Sequence, residues 1–528
     1  MTIAGLFNRG ALYARTLRHV RPVQVVNRLR RLIPPRPDLA VAPPLRRRES
    51  QFLEPCERPV RLSGDNFRFL GVERPITWAA DCDAPLLWQY NLHYFDDLIS
   101  TGARDRRSLH GEFVDRWVRD AEPGVGVGWA PYPISLRMVN WIKWHLLGAS
   151  LSDGARHSLA IQARFLASSL EYHLLANHLW ANAKALIFAG LFFEGREAEC
   201  WLRKGARILE REIAVQILPD GGHFELSPMY HAIVTEDLLD LINIGTAFGW
   251  VDVAKLRQTV SSALAWHAAM VRPDGKFPLF NDAAYGVASD CVSIADYARR
   301  LGIDYPAAPG FAWLADTGYA RVVSEDFALF ADLGAIGPDY NPGHGHCDML
   351  SFELCLRGRS IVVDTGTSTY DVSARRLRER STAAHNTIQF GANEQSEIWG
   401  AFRVGRRARM KVYNVDRDCL EGSHNGFRHL HVWHRRRFRP EPARLVIDDV
   451  CEGRGGRRPA TARFHLHPDV VASLSDDGVV TDFANFSFVG ADTVTLSAYD
   501  FAPEFGVVRP AQCIEVGFRE RLTTVIAA

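Results

Sequence analysis

Asn341-Pro342-Gly343-His344-Gly345-His346-Cys347-Asp348-Met349, followed by Leu350-Ser351-Phe352-Glu353-Leu354-Cys355-Leu356-Arg357-Gly358, is where this chain changes character. Leu350, Phe352, Leu354 and Leu356 alternate with Ser351, Glu353, Cys355 and Arg357, a period of two that puts the apolar set on one face of a strand. Arg357-Gly358 then turns the chain into Ser360–Val363, so the stretch reads as a hairpin. Downstream, Thr387–Phe390, Leu445–Ile447, Arg463–His467, Phe486–Val489 and Val494–Ala498 have the same texture, as an antiparallel β-sandwich requires. Upstream, from about Asp96 to Arg300, apolar residues recur in steps of three and four. Leu202, Ala206, Leu209, Ile213 and Ile217 make one helical stripe. Leu159, Ala163, Leu166 and Leu170 make another, with further ones at Leu238, Leu241 and Ile244 and at Leu256, Val260, Leu264 and Trp266. Antiparallel helix pairs are implied, and Pro306–Pro309 reads as a linker. The expected organisation is a basic segment over 1–75, a helical domain over 76–315 and an antiparallel β domain over 316–528.

Composition sets the outer limits. At 528 residues the chain exceeds one ordinary hydrophobic core, and 47% apolar with 23% charged residues is ordinary for a folded globular protein. The 62 basic and 61 acidic side chains nearly cancel, which argues against nucleic acid as the partner. Local charge is less even. Residues 1–50 carry Arg9, Arg15, Arg18, Arg21, Arg28, Arg30, Arg31, Arg36, Arg46, Arg47 and Arg48 against only Asp38 and Glu49. That segment reads first as a solvated basic arm and second as a weak peripheral contact with an anionic membrane. Cysteines stand singly at 56, 82, 200, 291, 347, 355, 419, 451 and 513, without a CxxC pair, so neither a disulfide framework nor a thiolate zinc site is indicated. Arg9, Arg15, Arg18 and Arg21 interrupt every apolar run of Met1–Pro22, and no window approaches the ~18–20 apolar residues of a spanning helix. A cytoplasmic protein without a transmembrane segment is the expectation, with the periplasm as the alternative.

Three clusters can carry chemistry. Asn177-His178, in Ala176-Asn177-His178-Leu179-Trp180-Ala181-Asn182, sits among apolar neighbours on a helix, where polar groups need partners. His178 and Asn182, four apart, share a face. In Ser227-Pro228-Met229-Tyr230-His231 the proline fixes a helix start, which places Tyr230 and His231 in the first turn, at the end of the dipole that favours a phenolate. His344 and His346 flank Gly345, where the backbone can bend so that one ring faces a cleft and the other faces inward. His346, Asp364 and His385 have the residue types of a three-ligand zinc site. Arg375, Arg376, Arg378 and Arg380 precede His385 and are candidates for binding acidic groups.

These stretches, in this order, resemble the heparinase II/III superfamily of polysaccharide lyases, which includes alginate lyases. The resemblance also takes in Trp129-Ala130-Pro131-Tyr132-Pro133-Ile134-Ser135-Leu136-Arg137, Asp364-Thr365-Gly366-Thr367 and Arg380-Ser381-Thr382-Ala383-Ala384-His385-Asn386. It implies an incomplete (α/α) toroid followed by an antiparallel β-sandwich. By resemblance Asn177 neutralises a uronate carboxylate, Tyr230 protonates the leaving oxygen, and His178 and His344 are the catalytic histidines. Tyr132, His231, Arg378 and Arg380 are the implied substrate-binding side chains, and His346, Asp364 and His385 the ligands of a structural Zn2+. The substrate class implied is an acidic polysaccharide, and the arginine-rich start resembles relatives linked to exopolysaccharide or capsule metabolism. A uronyl C5-epimerase on the same scaffold and a non-catalytic glycan-binding or assembly protein are the competing readings. A hydrolase would want two carboxylates across a cleft, and Glu225, Glu236 and Asp237 do not announce such a pair.

Overall fold

The computed structural model describes residues 3–33, 35–78, 83–441 and 443–528, with side chains from residue 10 onward. Cys82 and the side chain of Arg9, both counted above, lie outside the described residues. Helices α1 (Ile3–Leu17) and α2 (Pro22–Arg30) and a small sheet of Leu62–Ser63, Asn66–Phe69 and Val72–Pro75 precede the helical body. That body comprises α3 (Leu86–Tyr94), α4 (Arg107–Asp120), α5 (Pro131–Leu146), α6 (Asp153–Ser168), α7 (Ala176–Phe192), α8 (Arg196–Gln216), α9 (Pro228–Ala247), α10 (Val253–Ala269) and α11 (Cys291–Arg300). It is an incomplete α/α toroid, and α12 (Ala374–Glu379) lies within the β region that follows it.

Two helices explain where the core sits. From Ala176 to Phe192 every residue of α7 except His178 is buried, and α9 is buried over nearly its whole length. A helix that is apolar all round must be covered all round, so these two form the centre against which α5, α6, α8 and α10 pack. Helix α8 is striped instead, and its buried positions are Ala198, Trp201, Gly205, Ile208, Leu209 and Gln216. Leu202 and Ile213 of the expected stripe lie at its edge. The rotation follows from two glycines: a Cβ on Gly190 of α7 would strike the Leu202 backbone, and one on Gly205 of α8 would strike the Ala183 carbonyl. The helices therefore cross closely on those positions.

The β region begins with a five-stranded antiparallel sheet in chain order, Phe311–Leu314, Tyr319–Val323, Phe327–Asp332, Phe352–Leu356 and Arg359–Val362. Its last hairpin closes through Arg357 (φ 47°) and Gly358 (φ 79°), two left-handed residues whose turn matches strand twist. The alternation read from Leu350–Arg357 is real, but Ser351, Glu353 and Cys355 are buried as well. One face of this sheet, with Leu329, Phe352 and Leu354, packs on the second sheet through Phe438 and Phe464. The other, with Phe330 and Cys355, packs on Leu226, Trp266 and Phe280 of the helical domain. The second sheet has ten strands among the described residues, built around the long hairpin Asn485–Glu504 and Val507–Ala527. Phe486–Val489 and Val494–Ala498, read above as two strands, belong to one strand whose register shifts around Gly490 (φ 93°).

Glu353 fastens the two domains. Its Oε2 lies 2.5 Å from Arg272 Nη1, and its Oε1 accepts the Leu279 N–H at 2.8 Å and the Asp364 N–H at 3.3 Å. Replacing it leaves a buried guanidinium with Asp274 as its remaining carboxylate partner. Glu353→Ala is expected to destabilise the protein by about 3–5 kcal/mol, read from denaturant or thermal unfolding. A loss under about 1 kcal/mol would mean that the seam does not depend on this pair.

Candidate active site

Asp282 lies in the segment between α10 and α11 and is fully buried. Its carboxylate accepts from both terminal nitrogens of Arg376, with Nη2 at 2.5 Å, from His344 Nδ1 at 2.8 Å and from His346 Nε2 at 2.8 Å. Its backbone N–H donates to the His344 carbonyl at 3.0 Å, and its own carbonyl accepts Ser227 Oγ at 2.7 Å. Burial alone would raise the pKa of this carboxyl, but the Arg376 guanidinium and the two imidazole donors hold it well below the usual range. An ionised carboxylate only accepts, so His344 carries its proton on Nδ1 and His346 on Nε2. The ring nitrogens left over are His344 Nε2 and His346 Nδ1.

Both histidines therefore meet one carboxylate from its two oxygens, the His344 ring part-exposed and the His346 ring fully buried. Gly345 is required for a different reason from the one expected: a Cβ there would collide with the Ile336 carbonyl oxygen. The His344 ring lies 4.2 Å from the Tyr230 ring, centre to centre, so a side chain from the β region meets one from the first turn of α9. Ser227 caps that turn, with Oγ accepting the Tyr230 N–H at 3.3 Å. Tyr230 Oη is 3.1 Å from Tyr370 Oη. Burial, with the neighbouring Tyr370 hydroxyl, pushes the Tyr230 pKa well above that of a free phenol. Burial thus outweighs the helix dipole, and the resting group is a phenol able to give a proton.

On the other wall, Leu175 (φ 64°) and Ala176 (φ 50°) both take left-handed backbone, and this strained entry aims the first residues of α7. Asn177 is buried and its amide bonds to no described residue. His178 stacks on Tyr132 at 4.6 Å and pairs through Nδ1 with Glu171 Oε1 at 3.2 Å. Asn182 is fully buried, and its Nδ2 donates to Glu171 Oε2 at 3.1 Å and to Ser135 Oγ at 3.0 Å. His178 and Asn182 thus share Glu171, which gives their common face a partner.

Glu225 links the two walls, since the charges of both His344 and His178 act on it. It is buried, and its Oε2 has no hydrogen-bond partner. Gln216 Nε2 donates to Glu212 Oε2 at 2.7 Å and Gln216 Oε1 accepts from His223 Nε2 at 2.9 Å, so His223 turns the lone pair of Nδ1 toward Glu225 Oε2, 3.8 Å away. A carboxylate facing a lone pair is repelled, whereas a carboxylic acid is not. Burial raises the Glu225 pKa accordingly and pushes that of His223 down to about 3.

The expected metal set is partly assembled. His346 and His385 are fully buried with ring centres 5.2 Å apart, and His346 Nδ1 and His385 Nε2 lack partners. Asp364 stands behind His385, with Oδ2 accepting from His385 Nδ1 at 2.7 Å and Oδ1 accepting the Gly366 N–H at 3.1 Å. Orphaned buried nitrogens of this kind are what a cation would satisfy. Among the described residues, no three His, Cys, Asp or Glu side chains converge on a common coordination point.

Two expected substrate contacts, His231 and Arg380, do other work. His231 is buried, lies 4.1 Å from the Trp266 ring and bonds through Nε2 to the Ala263 carbonyl at 3.0 Å, because the first turn of α9 sends adjacent residues to opposite sides. Arg380 is fully buried and donates to the carbonyls of Gly345 (2.9 Å) and Ala401 (2.9 Å), so it holds the histidine loop. Arg378 is exposed on α12. Tyr132 remains beside His178. Asp282, Glu171, Glu225 and Tyr370 were not read as site residues, and Arg376, read as a candidate for binding acidic groups, is instead committed to Asp282; each gains its meaning from a partner distant in sequence.

Two family models match the chain, one described as Heparinase II/III N-terminus over residues 146–304 and one as Heparinase II/III-like, C-terminal over 306–527. A heparin-sulfate lyase of Bacteroides stercoris is 28% identical over 241 residues, which are 41% of this chain and 36% of that protein. The match thus spans about a third of that relative's length. FtsZ-localized protein C of Caulobacter vibrioides is 24% identical over 425 residues, 74% of this chain and 71% of that protein. Among solved structures, heparinase III is 20% identical with a TM-score of 0.69, covering 86% of this chain and 79% of that one. Heparan sulfate lyase HepC of Pedobacter heparinus is 16% identical with a TM-score of 0.57, covering 88% and 81%. At these identities the solved structures share the fold.

The Glu171–His178 pair makes a prediction with a definite sign. Burial works against the His178 imidazolium, but Glu171 outweighs it and raises the pKa; burial likewise works against the Glu171 carboxylate, whose pKa His178 lowers. The histidine's contribution to stability is complete below its unfolded value of ~6.5 and is lost as pH rises through the higher folded value. The glutamate's contribution is present above its unfolded value of ~4.3 and is lost as pH falls through the lower folded one. Glu171→Gln should move the His178 titration to lower pH in an NMR experiment. An unmoved titration would contradict the pairing.

Proposed function

The chain belongs to the heparinase II/III superfamily, and on that premise we propose that it is a polysaccharide lyase that cleaves a uronic-acid-containing glycan by β-elimination. The observation that carries this reading is the contact of Tyr230 with His344, together with a buried Asn177 whose side-chain amide bonds to no described residue. The elimination removes the C5 proton, forms the C4–C5 double bond and expels the C4 oxygen, which must be protonated as it leaves. Asn177 hydrogen-bonds the uronate carboxylate and stabilises the charge that builds up when C5 is deprotonated. Tyr230, kept protonated by burial, supplies the proton to the leaving oxygen. In a syn elimination Tyr230 first gives its phenolic proton to a neighbouring base such as His344 Nε2, then takes the C5 proton and passes it to the C4 oxygen. In an anti elimination the base is a histidine. His344 is suited to that task, because Asp282 commits Nδ1 and leaves Nε2 to take a proton.

A divalent cation, zinc by ligand type, is proposed to seat on His346 and His385 with Asp364 orienting the latter. Its role there is to tie the histidine loop to the sheet. Two other readings have separate outcomes. Incorporation of solvent deuterium at C5 without chain shortening would mark an epimerase. The FtsZ-localized relative, which matches most of this chain, is the reason to keep a non-catalytic role in view; acidic glycan bound with no unsaturated product would mark it.

Tyr230→Phe is expected to cut kcat by about 10²–10⁴-fold, measured as ultraviolet absorbance of unsaturated uronate on the acidic polysaccharide that the wild type cleaves, with an unchanged melting curve. Retention of more than about a tenth of kcat would remove Tyr230 from the chemistry. Asn177→Ala should behave likewise; activity intact with a lower melting temperature would make Asn177 a packing residue.

Elemental analysis of protein purified without added metal should find close to one zinc per chain, lost together with thermal stability in His346→Ala. Metal-free protein of full stability would refute the cation.

A further inference from the structure

Helix α2 is amphipathic in the wrong sense for a soluble protein. Gln24 is its buried residue, while Val25, Val26 and Leu29 stand exposed. The turn that follows adds Leu32 and Ile33, and Leu29, Leu32 and Ile33 are 63%, 77% and 83% exposed. The charge around this patch has one sign. Residues 1–37 contain eight arginines (Arg9, Arg15, Arg18, Arg21, Arg28, Arg30, Arg31 and Arg36) and no Asp or Glu. Some are taken up by the fold: Arg15 pairs with Glu397 at 2.6 Å, Arg21 lies 3.6 Å over the Tyr340 ring, and Arg31 bonds His173. Arg28 and Arg30 on α2, and Arg36 beyond the turn, are exposed.

We propose that α2 and the turn after it form a peripheral docking surface for an anionic membrane, with Val25, Val26, Leu29, Leu32 and Ile33 entering the interface and the free arginines meeting lipid phosphates. An amphipathic helix with apolar residues on one side and only arginine as charge is the composition that lies in a lipid interface. The alternatives fit less well. An acidic polysaccharide would use the arginines but has no call for exposed leucine and isoleucine. A second copy meeting α2 about a two-fold axis would bring Arg28 and Arg30 against their own images, which is repulsive. The element is also firmly tethered. Arg21 holds it to Tyr340, whose ring lies 6.0 Å from that of Phe224, and Arg31 holds it to His173, two residues from Glu171. Docking through α2 would therefore bring the Glu171–His178 wall of the cleft close to the membrane.

The test is co-sedimentation of the full chain with extruded vesicles of phosphatidylcholine alone and of phosphatidylcholine mixed with phosphatidylglycerol. Binding is expected to the mixed vesicles only, to weaken as salt is raised, and to fall at least about ten-fold in the double variant Leu29→Glu/Ile33→Glu. The double charge reversal Arg28→Glu/Arg30→Glu should lose binding to a similar degree. Both pairs are exposed, so melting curves should match the wild type. No binding to anionic vesicles, or binding that survives Leu29→Glu/Ile33→Glu, would overturn the proposal. A change in mass by light scattering in that variant, without vesicle binding by the wild type, would assign the face to a second copy instead.

Discussion

One buried carboxylate holds the candidate site together. Asp282 is taken out of water completely, a costly step for a charge unless every lone pair is satisfied. Here Arg376 and the two histidines His344 and His346 satisfy it, and Ser227 and the His344 carbonyl fix the backbone on either side. The donors come from α12 and from the loop between the third and fourth strands of the five-stranded sheet, whereas Asp282 itself belongs to the helical domain. The interaction that stabilises the charge is thus the one that brings His344 to Tyr230. Losing any one partner would leave a charge in the interior and would also release the histidine loop.

The surrounding backbone is prepared for the same purpose. Leu175 and Ala176 before Asn177, Leu226 before the Ser227 cap, Asn281 before Asp282 and Leu350 after the histidine loop all have positive φ. Each such residue costs on the order of 1 kcal/mol, and each stands within a few positions of a side chain that lines or supports the site. Strain at those places is what an arrangement fixed before its ligand arrives requires. The seam between the domains supports it from below through Arg272 and Glu353, where burial is complete and a hydrogen-bonded pair is the only stable solution.

Much of this was legible in the sequence, and the remainder was not for identifiable reasons. The hairpin at Leu350–Val363 and the helical stripes follow from periods of two and three to four, which local sterics enforce. Asn177, Tyr230 and His344 were found because each sits in an ordered motif. Asp282 and Glu225 were not, because nothing near either residue distinguishes a hub from an ordinary loop carboxylate. Their roles depend on partners such as Arg376, 94 positions away from Asp282. The burial of Glu353 was not legible because period two tells one face from the other but not whether the second face is covered. Arg380 and His231 were misplaced for a related reason: charge and motif adjacency say nothing of direction. The bulged strand around Gly490 was split in two because a register shift resembles a turn in the pattern.

The most direct measurement is a crystal structure of Tyr230→Phe with a bound acidic oligosaccharide. A uronate whose carboxylate meets the Asn177 amide, whose C4 oxygen lies where the Tyr230 hydroxyl would reach it within about 3 Å, and whose C5 faces His344 Nε2 is the expected result. An oligosaccharide seated away from the Tyr230–His344 contact, with the Asn177 amide unengaged, would contradict a catalytic site assembled from both domains.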